Sequence, residues 1–367
     1  MSTKKDNFSI KDHFYMELAL DLAKARKGLT GPNPSVGCII VKHDKIISIG
    51  QTSFDGRPHA EYNAINNCTE KLEGSKIYIT LEPCCHYGKT PPCTKLIINS
   101  KISEVIYSIK DIDERVHGKA NKILSSKNIN VKSGLLKDKI MQFYSPYFYN
   151  KKYKLPYITG KIAISKNNLI YSKGFKKITN TLSDKLTQYL RFSNDSILIS
   201  YKTLNKDNPK LNCRIKNLEK FSPKRIILDN KLDLNTKSYL FRSAKKDNTI
   251  VFYNKASKSK INQFKKNLCL VKSTINKDQK FDFKIIMKKL YNLGLRNILI
   301  EGGNDLTNYL LKKKLFNKFY LYKSSKMLPK LDDYKTFNGL KILKHKYKNR
   351  VRLKSNFGKD TVILHKV

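Results

Sequence analysis

The sequence predicts an α/β protein built as two domains. Three observations lead there. The chain has 367 residues, and at about 100–200 residues per domain that length suggests two. Its hydrophobic content of 40% suffices for packed cores rather than a disordered chain. Segments of strand period alternate with segments of helix period along the whole length, the pattern of layered α/β domains. No internal repeat and no Gly/Ser linker interrupts the alternation.

The elements follow in order. Residues 12–27 place Phe14, Leu18, Leu22 and Ala25 at helical spacing. Residues 36–41 and 46–49 read as two strands joined by a polar turn, His43-Asp44-Lys45. Residues 60–68 read as a helix and 76–81 as a strand. Residues 92–99 form a helix with Pro92 near its first turn. A strand at 104–109, a helix at 119–125 and a strand at 129–132 follow. An aromatic stretch, 143–153, closes the first domain, so the boundary is placed near residue 150, giving domains 1–150 and 151–367. The second pattern starts at Leu155. It has strands at 157–164, 196–200, 225–228, 249–253, 297–300, 318–322 and 361–365, with helices at 181–192 and 305–313.

The charge is large: 74 Lys+Arg against 29 Asp+Glu gives +45. Such a chain invites polyanions. Yet only 10 of the basic residues are Arg, while Asn (33) and Ile (37) are abundant and Trp is absent. That is the residue set of AT-rich codons, and the lysines are spread along the chain rather than gathered in one block. The charge therefore reads as compositional bias on solvated positions, and nucleic acid is disfavoured as a partner. Phosphorylated small molecules benefit from the positive field either way. No stretch approaches the ~18 apolar residues of a membrane span. Residues 1–11 are polar and lack the apolar core of a signal peptide. A cytoplasmic protein without membrane attachment is expected. Seven scattered cysteines argue against a disulfide framework and for metal binding or burial.

One constellation carries hydrolytic chemistry. His59-Ala60-Glu61 opens a helix, and twenty-five positions after His59 stands Cys84, in the run Glu82-Pro83-Cys84-Cys85-His86-Tyr87-Gly88-Lys89-Thr90-Pro91-Pro92-Cys93. His59, Cys84 and Cys93 make a three-ligand Zn2+ site, one per chain, with a fourth position free for water. Zinc lowers the pKa of such a water towards ~7. Glu61, two residues from a ligand, faces the same water as a proton shuttle to the departing amine. An H-x-E with P-C pairs is the arrangement of zinc nucleobase deaminases. Cys85 and His86 read as lining residues.

Eight residues separate Cys84 from Cys93, where cytidine and nucleic-acid deaminases have two. The loop resembles the P-C-x-H-x-G-x-T-P-P-C of the riboflavin-biosynthesis pyrimidine deaminases. Pro32-Asn33-Pro34-Ser35-Val36-Gly37 matches the same family, in which the Asn binds the pyrimidine; its amide offers donor and acceptor to a ring edge. The resemblance implies a cytidine-deaminase-like α/β/α layered N-terminal domain. Downstream the family's Asp-Pro-Asn-Pro turn is Asp111-Ile112-Asp113-Glu114 here, followed by Val116-His117-Gly118, with His117 read as a surface residue.

The resemblance continues through the second half, which looks like the reductase of the bifunctional deaminase/reductase family. That half is implied to be dihydrofolate-reductase-like, to use NADPH, and to reduce the ribosyl group of the deaminated product to ribityl. The matching segments are Pro156-Tyr157-Ile158-Thr159-Gly160-Lys161, Ile178-Thr179, Arg191 with Asp195-Ser196-Ile197, Thr203 through Leu211 followed by Arg214, and Glu301-Gly302-Gly303. They imply Lys161 as the group that polarises or protonates the developing alkoxide. They also imply substrate contacts at Arg191, Leu211, Arg214 and Glu301, and cofactor contacts at Ala163, Thr203, Asp207, Gly302 and Gly303. Arg191 and Arg214 are suited to bidentate phosphate binding. Gly302-Gly303 before a helix allows close approach to phosphate oxygens. No G-x-G-x-x-G follows a strand, so a Rossmann domain is not supported. The implied partners are a phosphorylated pyrimidine, NADPH, and further copies of the chain as a dimer or larger homo-oligomer.

The chain departs from the family at several positions. Ser-Leu-Asp-Gly is Ser165-Lys166-Asn167-Asn168, a Trp is Lys177, the second Asp of Asp-Asp-Pro is Asn208, and Val-Asp-Glu is Phe316-Asn317-Lys318. Three other readings stand beside the bifunctional one: a lone deaminase with a decayed reductase half, a nucleic-acid-binding deaminase, and a structural zinc protein.

Overall fold

The computed structural model describes residues 8–175, 177–276 and 279–367. The polar stretch 1–11, relevant to the signal-peptide expectation, lies mostly outside them. The chain divides into two compact units, with the division between Lys154 and Leu155.

The first unit runs α1 (Ile10–Ala25), β1 (Gly37–Lys42), β2 (Lys45–Gln51), α2 (Ala60–Asn66), β3 (Lys76–Leu81), α3 (Cys93–Asn99), β4 (Glu104–Ile109), α4 (Lys119–Ser125), β5 (Asn130–Ser133) and α5 (Lys137–Tyr153). Helix α1 starts two residues before the expected position because Ser9 caps it. The Ser9 hydroxyl accepts the Asp12 N–H while the Asp12 carboxylate accepts the Ser9 N–H, a reciprocal capping box. The strands form one sheet in the order β2-β1-β3-β4-β5. β1 is antiparallel to both β2 and β3, and β3, β4 and β5 are parallel. The β1–β2 turn has His43 and Asp44 both at positive φ, as a two-residue hairpin of matching twist requires.

Helix α5 carries the first unit a few residues past position 150. Residue 150 lies inside it, and its aromatic residues are structural rather than a tail. Tyr144 is buried, and Phe143, Tyr147 and Phe148 pack against the core of the first unit. The helix therefore belongs to the first unit, which extends to Lys154.

The second unit runs β6 (Tyr157–Ile164), β7 (Leu169–Ser172), α6 (Thr181–Phe192), β8 (Ser196–Ser200), α7 (Tyr201–Asp207), β9 (Lys224–Leu228), α8 (Tyr239–Arg242), β10 (Thr249–Tyr253), α9 (Lys258–Lys265), β11 (Cys269–Lys272), α10 (Phe283–Asn292), β12 (Asn297–Ile300), α11 (Asn304–Lys312), β13 (Lys318–Lys323), β14 (Tyr334–Thr336), α12 (Leu340–Lys346), β15 (Asn349–Arg352) and β16 (Thr361–Lys366). Nine strands form a sheet in the order β11-β10-β9-β8-β12-β6-β13-β16-β15. It is parallel from β11 through β13, and β16 and β15 add antiparallel strands. β7 and β14 pair separately. The central strands are continuous apolar runs because both faces are covered.

Gly160 sits on β6 beneath the Phe316 and Phe319 rings. A Cβ at 160 would overlap both rings, which are buried and packed edge to face. Gly160→Ala is expected to destabilise the second unit by about 1–3 kcal/mol through overpacking. Urea unfolding measures this, and an unchanged midpoint would mean the rings yield freely.

Candidate active sites

In the first unit the metal-ligand set is assembled by three chain segments. His59 is the N-cap of α2 and Glu61 stands in its first turn. Cys84 follows β3, and Cys93 is the first residue of α3, which Pro92 caps. The ligand atoms of His59, Cys84 and Cys93 all lie within 4.8 Å of one another. His59 Nδ1 is 3.6 Å from the Cys84 sulfur and 3.4 Å from the Cys93 sulfur. Tetrahedral zinc with ordinary Zn–N and Zn–S bonds sets such nitrogen–sulfur edges at about 3.6 Å. The donor set and its spacing therefore fit zinc.

The Cys84 sulfur accepts the Cys93 N–H at 3.3 Å. Its thiol is pulled down to about 4, chiefly by the hydrogen bond from the Cys93 thiol, with burial opposing and the His59 ring and the Cys93 N–H helping. Glu61 is buried, and burial pushes its carboxyl above the usual range while the His59 charge restrains it. Cys85 turns away, donating to the Arg115 carbonyl at 3.2 Å. Among the described residues no other His, Cys, Asp or Glu joins the ligand group.

His59, Glu61 and Cys84 border a cavity of about 110 Å³ that also takes in Asn33, His86 and Thr90. Helix α5 fixes its walls. The Tyr144 hydroxyl donates to the Ser35 carbonyl and meets Thr80 Oγ1, holding the Asn33 loop, and the Tyr147 hydroxyl donates to Asp111. Glu82 is buried and structural. Its carboxylate accepts the backbone N–H groups of Asp111, Gly118 and Ala120, so the 111–120 loop keeps its anchor despite losing the family's prolines. His117 is exposed. Sequence reasoning missed Arg57, Arg115 and Lys151 at the cavity. The scarcity of Arg in this chain is the one signal that could have drawn attention to the first two.

In the second unit a cavity of about 470 Å³ lies where β8, β9 and β12 end, the usual ligand position in parallel sheets. Lys161, Ala163, Thr203, Asp207, Glu301, Gly302 and Gly303 all line it. Lys161 Nζ lies 4.9 Å from the centre of the Tyr322 ring. Burial pushes its ammonium below the ordinary lysine value, with the Glu301 carboxylate opposing. Ser200 caps α7, its hydroxyl accepting the Thr203 N–H. Gly303 has an ordinary φ of −68°. What keeps the glycine pair free of Cβ atoms is the close approach of Leu306 and Thr307 to position 302 and of Thr203 to 303.

Three further expected substrate contacts are not among the residues that line this cavity. Leu211 is a core residue, so its side chain does not face the cavity. Arg191 is buried in the last turn of α6 and forks onto Glu301. Arg214 is exposed. The departures from the family have structural roles. Asn167 donates to the Leu328 carbonyl and accepts the Leu328 N–H and the Ser165 hydroxyl. Asn317 accepts the Ile158 N–H, and Asn208, in the left-handed region, accepts the Tyr239 N–H. Lys177 pairs with Asp184 at 2.7 Å.

The family model for the RibD C-terminal domain matches residues 160–363, and that for the cytidine and deoxycytidylate deaminase zinc-binding region matches residues 9–109. The riboflavin biosynthesis protein RibD of Aquifex aeolicus is 32% identical over 361 residues, covering 97% of this chain and 98% of its own. The chain belongs to the RibD family. The RibD protein of Actinobacillus pleuropneumoniae is 32% identical over 87% of this chain and 85% of its own. Among solved structures, a diaminohydroxyphosphoribosylaminopyrimidine deaminase/5-amino-6-(5-phosphoribosylamino)uracil reductase of Thermotoga maritima matches with a TM-score of 0.81 at 28% identity, over 97% of this chain and 98% of that one. Acinetobacter baumannii RibD shares the fold, with a TM-score of 0.80 at 24% identity over the same shares. Both halves of a bifunctional RibD are thus present, a deaminase domain followed by a reductase domain. This sets aside the nucleic-acid, purely structural and single-function readings. Among the described residues no helix is long and apolar enough to cross a membrane.

Proposed function

We propose that the first unit deaminates 2,5-diamino-6-(5-phosphoribosylamino)pyrimidin-4-one and that the second reduces the ribosyl group of the product with NADPH. The observation that carries the first step is the His59, Cys84 and Cys93 donor set beside the buried Glu61. Zinc held there supplies an acidified water as nucleophile. Glu61 accepts a proton and passes it to the departing amine, so that ammonia leaves. Asn33 presents its amide to the pyrimidine edge, supplying both a donor and an acceptor. Arg57, whose guanidinium donates to Thr90 at 2.7 Å, adds positive charge at the cavity for a phosphorylated substrate.

For the second step, NADPH supplies the hydride. Lys161 holds a proton for the developing alkoxide, and the Gly302-Gly303 turn at the start of α11 leaves room for phosphate oxygens. Thr203 and Asp207, from α7, flank the same cavity.

The test is a two-stage assay on zinc-loaded protein. The diaminopyrimidine substrate without NADPH should release ammonia, and adding NADPH should then lower its absorbance. Chelated protein should release no ammonia, yet still oxidise NADPH when given the deaminated intermediate directly. Ammonia without NADPH consumption would end the reductase half of the proposal.

A further inference from the structure

The loop after β4 puts two carboxylates, Asp111 and Asp113, on the wall of the deaminase cavity. Asp113 stands at the Asn of the family's Asp-Pro-Asn-Pro turn. The substrate proposed for this cavity carries a phosphate, and a wall of two acids repels such a ligand. Asp111 is buried and hydrogen-bonded, accepting the Asp113 N–H at 3.0 Å and the Tyr147 hydroxyl at 2.9 Å. Burial also pushes its carboxyl up. Asp113 is the firmer charge. Its side chain is 14% exposed, and its carboxyl is held well below the usual range, first by the Arg115 side chain, with burial opposing and Lys151 helping. It stays ionised at any physiological pH, so only neighbouring cations can offset it.

Two cations do so. The Arg115 guanidinium forks onto the carboxylate, Nε to Oδ1 at 2.9 Å and Nη2 to Oδ2 at 2.7 Å. Lys151 Nζ, from the last turn of α5, reaches Oδ2 at 3.3 Å. Both residues line the same cavity. Drawing either of them onto a phosphate would uncover Asp113 beside that phosphate. Arg57, also at the cavity, donates to Thr90 instead. Arg115 is 63% exposed, and an ion pair so open to water adds little stability. Its effect is on the field that the cavity presents to an anion.

We propose that Arg115 and Lys151 are specificity-determining residues of the deaminase step: they neutralise Asp113, so that the cavity accepts a phosphorylated substrate, without themselves binding the phosphate. The proposal rests on the deaminase reading above.

The experiment compares the wild type with Arg115→Met/Lys151→Met, with Asp113→Asn, and with the triple variant that carries all three changes. Each zinc-loaded, full-length protein is given the diaminopyrimidine substrate with and without its 5′-phosphate, and ammonia release yields kcat and KM. The double variant bares Asp113. It should raise KM for the phosphorylated substrate about tenfold, and KM for the other by less than about threefold. The rise should shrink at high salt. Asp113→Asn alone frees both cations and should lower KM for the phosphorylated substrate about threefold. The triple variant should return to within about threefold of the wild type, because the charge that needed covering is gone. A structural clamp cannot give that recovery, since the triple variant lacks every side-chain ion pair of the group. A triple variant as poor as the double one overturns the proposal, because Arg115 or Lys151 would then bind the phosphate directly. Equal losses on both substrates also overturn it. If the double variant does not fold, Asp113→Asn decides: a lower KM confined to the phosphorylated substrate supports the proposal, and an unchanged or higher one overturns it. Wild-type protein that releases no ammonia from either substrate would sink the deaminase reading itself, a result separate from any of these.

Discussion

Glu61→Gln is expected to abolish ammonia release while leaving the protein folded and its zinc bound. The substitution keeps shape and volume, so the start of α2 and its His59 cap are undisturbed. What is lost is the carboxylate in the first turn of α2, two residues from His59 and lining the cavity. A positioned acid–base group contributes about 10²–10⁴ in rate. Here the group both accepts a proton and returns it to the leaving amine, so the loss is expected at the upper end of that range. Thermal stability should hold or rise, because burial already works against the Glu61 charge. Metal analysis and ammonia release on one preparation settle it. Turnover at the wild-type rate would remove Glu61 from the mechanism, and loss of zinc would make its role structural. The reductase step on supplied intermediate should be untouched.

The complementary result is expected for Lys161→Met: ammonia released at the normal rate, with NADPH oxidation down by about 10²–10⁴. Lys161 borders the cavity with the glycine pair and Thr203, and methionine replaces its stem without its proton. The wild-type profile carries a signature of its own. A proton donor must be protonated to act, and burial holds this ammonium below the ordinary lysine value of 10.5. The reductase rate should therefore fall as pH rises, through a limb lying below 10.5. If Lys161→Met kept full NADPH oxidation, proton donation would have to be assigned to another group in the cavity.

Much of the first site was legible in the sequence. Metal-ligand chemistry admits few residue types, and their spacing along the chain is tight, so His59, Glu61, Cys84 and Cys93 stand out before any fold is known. The main strands were legible for a similar reason. β1, β3 and β4 are apolar runs too short for helices and bounded by turn residues. Helix α10 carries its apolar face openly, in Phe283, Ile286, Met287 and Leu290, although no element was assigned there. Helix α5 is different. Its aromatic residues and internal Pro146 give no clear apolar stripe. Its identity comes from what Tyr144 and Tyr147 reach, namely Ser35, Thr80 and Asp111, all distant in sequence. The short pair β7 and β14 was likewise invisible, since strands of four and three residues carry almost no period.

By itself the sequence determined the two-domain α/β class, the ligand set with its acid–base partner, and the family resemblance that spans nearly the whole chain. These depend on residue type and local spacing, which the chain carries unfolded. The tertiary structure decided which like residues do unlike things. It put Leu211 in the core, and gave Arg191 to Glu301 while leaving Arg214 open. It turned Glu82 to the 111–120 loop and Asn167 to Leu328. Each of these assignments is a contact between positions far apart in the chain, such as Arg191 and Glu301, 110 residues apart. Burial then sets the cost of leaving either partner unmatched, and that cost exists only once the chain has folded.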